Sequence, residues 1–414
     1  MISPCRIHRT CRLIDSLSVG FLFAAFLLVP YNGAMGQYAT GSTSETAGAA
    51  GGATVPLDIT AGVDIGYDDH VIGGNATSSS GQSSFFVREN LVLSYDRARE
   101  RTEAHLVGVG RFAQFFDLGT DDKDGNVTLS LTHNFSTRLS FRADVYGAYE
   151  TEPNFQSNVG PENVRAPHFN TRDIFSVTYH WLPRFTTVTS YTFNRVLYTQ
   201  SSSSVGTSSN RTQQTLGEQF QFSLTSRTNL IGEYRFETIN YDTAPNNSII
   251  HLALAGIDHH LTEHLSFHVR GGESFLSLEN DGDTVSPYFE GLLDYGKSNH
   301  SLTWTTSYGF EAPTTANVST RKTIRTGLNL RYDLSSRVHS TAGVNYHHDE
   351  NEGGSSGTRP VGSQDSFELS LGLRYTINKR FALHLDYRHT MQSSQGSTPG
   401  YSRNRYSAGF SYTY

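Results

Sequence analysis

Cysteine is almost absent from this chain. The two residues present, Cys5 and Cys11, lie at the amino terminus, and none follows in a sequence of 414 residues. Beyond that terminus, disulfides, thiolate catalysis and cysteine metal sites are excluded. Charge is also sparse: Asp, Glu, Lys and Arg make up 17%, below the usual quarter or so. Long apolar runs are missing after Val29, and the mean hydropathy is −0.41. A bundle of membrane helices, each needing ~20 consecutive apolar residues, is therefore excluded. A wall of membrane strands is not, because half of every such strand can be polar.

The one apolar run reads as a secretory signal over residues 1–36. Arg6, Arg9 and Arg12 form a basic start, Leu17 to Val29 an apolar core, and Ala34-Met35-Gly36 the small residues before a cut between Gly36 and Gln37. The core is short for a membrane span, which favours cleavage over an anchor. Both cysteines leave with it, and no cysteine follows the cut to carry a lipid. Losing three arginines and Asp15 takes the net charge from −7 to −9, which argues against a nucleic-acid partner. Residues 37–56, rich in Gly, Ala, Ser and Thr, read as a flexible leader.

What the chain has in quantity is alternation. From Phe367 to Tyr375, and again from Phe381 to Arg388, every second residue is Phe, Leu or Tyr. The residues between them are charged, small or polar. Successive side chains of a strand leave on opposite faces, so this is a hairpin with one apolar face, turning at Asn378-Lys379-Arg380. Leu57 to Tyr67 alternates in the same way as a first strand. Similar pairs turn at Ser136-Thr137-Arg138, Leu182-Pro183-Arg184, Thr225-Ser226-Arg227, Thr262-Glu263-His264, Gly296 to Asn299 and Ser335-Ser336-Arg337. The run from Glu103 to Phe116 alternates poorly, and its faces stay unassigned.

The spacing of these turns is roughly 35–45 residues, which suits two long strands with one short and one long connection. The long ones are Thr151 to Arg172, Thr199 to Asn210 and Asp349 to Ser363. A β-sandwich has no reason to sort its loops this way, and a propeller blade uses four shorter strands. The pattern predicts an all-β chain: residues 57–414 as a transmembrane antiparallel up-and-down β-barrel of about 18 strands, or 16 if one weak hairpin is miscounted.

Two motifs carry a family resemblance. The end of the chain, with Phe410, Tyr412 and Tyr414 alternating up to the last residue, resembles the carboxy-terminal assembly signal of outer-membrane proteins, with Tyr where Phe is usual. Gly66-Tyr67-Asp68-Asp69-His70-Val71 resembles the first strand of the outer-membrane β-barrel porins of type two, with His70 where Asn is typical. The resemblance implies export through the periplasm, insertion by the barrel-assembly machinery and a bacterial outer membrane around the barrel. It also implies a porin-like barrel, without naming a substrate.

The face expected to line the lumen offers Asp64, Arg88, Arg142, Asp144, Glu233, Arg235, Glu237, His268, Arg270, His384 and Asp386. Arg325, Arg331, Arg374 and Arg388 form its most basic wall, which points weakly to anionic solutes. The plainer reading of each residue is an ion pair bracing neighbouring strands. His259-His260 and His347-His348-Asp349 look like metal clusters, but adjacent strand residues face opposite ways. The second, at a loop edge, keeps a small claim as a site. No catalytic, cofactor-binding or metal residues are expected. The preferred reading is a diffusion channel for small hydrophilic solutes. The alternatives are a structural or polysaccharide-export barrel, a barrel enzyme at the outer leaflet (Asp68, Asp69 and His70 sit at a loop end), and a soluble carbohydrate binder.

Overall fold

The computed structural model describes residues 57–71, 82–152, 167–199, 210–243, 246–279, 282–313, 318–353, 362–393 and 400–414. The expected signal and leader lie outside the described residues. Eighteen strands make up nearly all of it. The first six are β1 (Leu57–Val71), β2 (Gln82–Arg99), β3 (Thr102–Phe115), β4 (Thr120–Asn134), β5 (Leu139–Glu150) and β6 (His168–Leu182). The next six are β7 (Phe185–Tyr198), β8 (Arg211–Thr225), β9 (Thr228–Tyr241), β10 (Ser248–His260), β11 (Leu265–Leu278) and β12 (Gly282–Lys297). The last are β13 (His300–Glu311), β14 (Val318–Asp333), β15 (Val338–Gly353), β16 (Gly362–Thr376), β17 (Phe381–Gln392) and β18 (Tyr401–Thr413).

Each strand pairs antiparallel with its successor, and β18 returns to β1 in a register running from Thr60↔Thr413 to Asp68↔Arg405. The Tyr414 amide donates to the Ile59 carbonyl at 2.8 Å across this seam. The sheet is thus a closed barrel with no free edge, which lets strands cross hydrocarbon with their backbone groups satisfied.

Several boundaries differ from the sequence reading. β1 continues past Tyr67 to Val71, so Asp68-Asp69-His70 is strand rather than loop. β6 begins at His168, inside the expected loop Thr151–Arg172. β15 runs on to Gly353, which puts His347-His348-Asp349 inside a strand. The connection β3–β4, on the long-loop side, is only Phe116–Gly119, with Gly119 at φ 60°. In each case polar residues prolong a strand beyond its apolar stripe, and alternation of hydrophobicity no longer marks them.

The register fixes the faces. Asp64 lies opposite Arg88 on β2 and Gly409 on β18, so all three point to one side of the wall. That side is the lumen. Ile65, the next residue, faces outward with 64% of its surface exposed. Leu371, Leu373, Leu383, Leu385 and Phe410 form a continuous apolar outer surface over β16–β18. Tyr95, Tyr179, Trp181, Tyr295, Tyr332 and Tyr375 sit near the short-turn ends of their strands, as one aromatic girdle of a membrane barrel does. β3 alternates poorly because Val107, Val109 and Phe115 share the lumen side with Arg111.

Candidate functional site

The lumen is lined by charge, and most of that charge is paired. At the closing seam Asp64 accepts from Arg88 Nε at 2.8 Å and from Asn90 Nδ2 at 2.7 Å, and bonds His384 on β17. Asp64 and His384 flank β18, so their contact passes over the backbone at Gly409. A Cβ there would stand 2.7 Å from His384 Nε2. Gly66 has a similar role: the Phe86 ring occupies the space its side chain would take.

A second cluster spans β9 to β12. Arg235 holds Glu233 at 2.6 Å and Glu290 at 2.8 and 3.0 Å, Arg270 holds Glu290 at 3.0 Å, and the Tyr288 hydroxyl donates to Glu290 at 2.6 Å. His268 meets Asp258 at 2.9 Å. A third lies on β13–β15: Arg325 forks onto Glu311 at 2.6 and 2.9 Å, and Arg321 reaches the same carboxylate at 3.0 Å. On β5, Arg142 and Asp144 pair at 2.5 Å. Pairs like these position side chains more than they add stability, since desolvation offsets much of the attraction.

The expected basic wall splits. Arg325 is buried against Glu311. Arg331 and Arg388 keep 44% and 48% of their side chains exposed and pair with Asp333 at 3.5 Å and Glu368 at 3.9 Å. Arg374 lies in register between His339 on β15 and His384 on β17. Arg331 on β14, Arg374 on β16 and Arg388 on β17 give one side of the lumen a positive bias. Asp386 and Glu237 share the lumen face.

Three features went unread in the sequence. Glu152, just past β5, accepts from Arg403 at 2.8 and 3.1 Å and from Arg405 at 3.0 and 3.1 Å, and both arginines also hold Asp68. The arginines are on β18, with β1 to β4 between that strand and β5, so the chain leaving β5 turns into the lumen. Burial alone would push the Glu152 carboxyl up; the charges of Arg403 and Arg405 outweigh it and hold the group well below the usual carboxylate range. Next, Ile239, Ile250, Leu252, Leu254 and Leu276 form an apolar patch on the lumen face. Ala312 packs on it, and the Tyr241 hydroxyl donates to the Pro313 carbonyl at 2.7 Å. The run Ile249-Ile250 through Leu254 breaks alternation and was the available signal. Last, Glu290 and Glu311, the acids that hold two of the arginine clusters, carry no local motif.

The histidine motifs do not converge. His347 faces the lumen, whereas His348 faces outward onto Asp365 at 2.9 Å. Asp68 goes to Arg403, Asp69 to Asn404, and His70 stacks on Tyr401. Among the described residues no group of three His, Cys, Asp or Glu side chains is placed to hold a metal.

A family model described as the outer membrane protein beta-barrel domain matches residues 249–413, which is β10 through β18. The protein is a bacterial outer-membrane β-barrel. Its closed sheet, apolar outer surface and carboxy-terminal strand all belong to that description. Among solved structures the barrel is similar to OccK1 (OpdK) of Pseudomonas aeruginosa, at 13% identity over 86% of this chain and 98% of that one, TM-score 0.41. It is similar to OccAB3 of Acinetobacter baumannii at 11% identity over 86% and 99%, TM-score 0.40. It is also similar to the siderophore receptor PirA of P. aeruginosa at 10% identity over 87% and 80%, TM-score 0.38. Likenesses of that strength say nothing about what this outer-membrane barrel carries. No curated protein sequence matches the chain.

Proposed function

We propose that this outer-membrane barrel is a porin-like channel through which small hydrophilic solutes diffuse. One observation carries the reading: Arg331 and Arg388, on the lumen face of a closed 18-stranded wall, keep nearly half of each side chain exposed. Barrels of 16–18 strands leave room for water, and such groups need it. Selection is by size, with charge biasing what enters. The exposed cations on β14–β17 favour anions, and the inward turn at Glu152 narrows the passage. Lipid, the assembly machinery and solutes are its partners in this reading, and no enzymatic step is assigned. Refolded protein in a planar bilayer tests it: discrete conductance steps are expected, and their absence at every voltage tried overturns the proposal. A plugged lumen would instead favour a structural or export-linked barrel.

A further inference from the structure

The ladder between β12 and β13 stops short. Their register ends at Phe289↔Tyr308, although both strands run on toward the long-loop end. From there Ser286–Tyr288 keep their register with β11, and Gly309–Glu311 keep theirs with β14. Only the register between β12 and β13 is lost. Pro287 lies in the middle of this stretch, and proline suits a local edge because it has no amide hydrogen to give a neighbour. The seam β1–β18 also ends early, at Asp68↔Arg405, but there the Asp69 carboxylate accepts from the Asn404 amide at 2.6 Å and bridges the strands. At ~3.3 Å per residue on a strand tilted ~40°, Pro287 stands ~20 Å from Tyr295 in the girdle at the short-turn end. The apolar band is ~25 Å tall, so the slit lies in its outer-leaflet part.

Behind the slit lies the apolar patch of the lumen. Leu276, part of that patch, is in register with Thr284 on β12, two residues from Ser286. The chain leaving β13 leans inward here: Ala312 packs on the patch, and the Pro313 carbonyl is held by Tyr241, four strands away on β9. The Tyr288 ring covers the backbone of Gly309, where a Cβ would overlap it, and packs on the same patch. Phe310 is outward by its register with Lys322, yet it too packs against the patch. Apolar side chains therefore run from the lumen through the split to the lipid face. A path of that kind serves no solute that stays in water, whereas a molecule that prefers hydrocarbon can follow it.

We propose that the β12–β13 slit is a lateral portal through which a neutral apolar small molecule passes between the lumen and the outer leaflet. The structure shows it shut, with the Tyr288 ring as the door and its hydroxyl tethered to Glu290 at 2.6 Å. Swinging that ring into the lumen breaks no register pair between β12 and β13, because the register ends one residue earlier. The charges beside the patch are already matched: Arg235 and Arg270 face Glu233 and Glu290. Glu273 points outward opposite Pro287 at the mouth, which disfavours a carboxylate passing there. An uncharged body suits both. The proposal rests on the membrane-barrel fold and not on ion conduction.

The probe is N-phenyl-1-naphthylamine, a neutral dye that fluoresces in hydrocarbon. The full chain, with Cys5 and Cys11 changed to serine, is expressed in a Gram-negative host, and heat-modifiable migration shows that each variant has folded. Dye entry is read beside the conductance of the purified protein. Cells carrying the barrel are expected to take up dye at least threefold faster than cells without it. Pro287→Cys with Phe310→Cys staples the slit on oxidation and should return the rate to that of cells without the barrel, with conductance unchanged and reduction restoring entry. Trp304→Cys with Leu328→Cys, in register on β13 and β14, is the control staple and should leave entry as it was. Tyr288→Ala should raise the rate at least twofold, while Tyr288→Phe, which keeps the ring, should not. Equal entry with and without the barrel, a formed slit staple without effect, or a folded Tyr288→Ala that matches the parent would overturn the portal. Entry that changes only in step with conductance would place the dye in the water path and overturn it too. A barrel that admits dye but conducts no ions would instead overturn the channel reading and leave the portal standing.

Discussion

Asp64 and His384 hydrogen-bond across β18, over the backbone at Gly409, although 320 residues separate them in sequence. The contact ties β1 to β17 past the strand that closes the barrel. It exists because position 409 has no side chain. The aspartate is 1% exposed and is also held by Arg88 and Asn90.

Gly409→Ala should therefore weaken the seam from both sides. The added methyl has to displace Asp64 or His384, and overpacking of this kind costs about 1–3 kcal/mol. Urea unfolding followed by loss of heat-modifiable migration measures it. His384→Ala should cost less than Asp64→Ala, because Asp64 keeps Arg88 and Asn90 when the imidazole goes. The reverse order would show that His384, not Asp64, organises the cluster.

Charge on the basic wall should set ion preference only where the side chain is exposed to the lumen. Arg331→Glu and Arg388→Glu together should move the reversal potential in a salt gradient toward cations, leaving unfolding within about 1 kcal/mol of the parent, as for most exposed substitutions. Arg325→Glu should behave oppositely. It sets an acid against Glu311 and should destabilise by about 3–5 kcal/mol, the usual cost of breaking a buried pair.

The turn into the lumen after β5 rests on Glu152. Glu152→Gln should loosen it and raise single-channel conductance, and deletion of residues 152–166 should raise it further. Unchanged conductance in both would remove the constriction. The pH response follows from the depressed carboxyl. A group held below its unfolded value contributes above the unfolded value and is lost only as pH falls through the folded one. Conductance should therefore be the same at pH 7 and pH 4.5, and a step between pH 5 and 4 would contradict the Arg403–Glu152 contact.

The fold was legible because hydrocarbon imposes a simple rule on one face. Leu369, Leu371, Leu373 and Tyr375 alternate with polar residues since each must meet lipid, and the tight turns punctuate that pattern. Strand ends such as Asp68–Val71 and Asp349–Gly353 pass beyond the lipid, where nothing selects greasy side chains, so their extent was invisible. The lumen was legible only by subtraction. Parity puts Arg325 inside, but that Glu311 closes it depends on a register between strands that no local motif encodes. Asp173 and Glu218 sit on the greasy side against the rule, and alternation alone carries no depth by which to notice them.

Thiol labelling along one hairpin tests the inside–outside assignment most directly. Single cysteines replace residues 369 to 374 of β16 and 383 to 388 of β17 in a chain whose Cys5 and Cys11 are changed to serine, and intact outer membranes are treated with a membrane-impermeant reagent. Ser370→Cys, Arg374→Cys and Arg388→Cys should label, while Leu371→Cys, Leu373→Cys and Leu385→Cys should stay protected. Protection of both sets, or labelling of the leucine positions alone, would contradict a water-lined barrel in lipid.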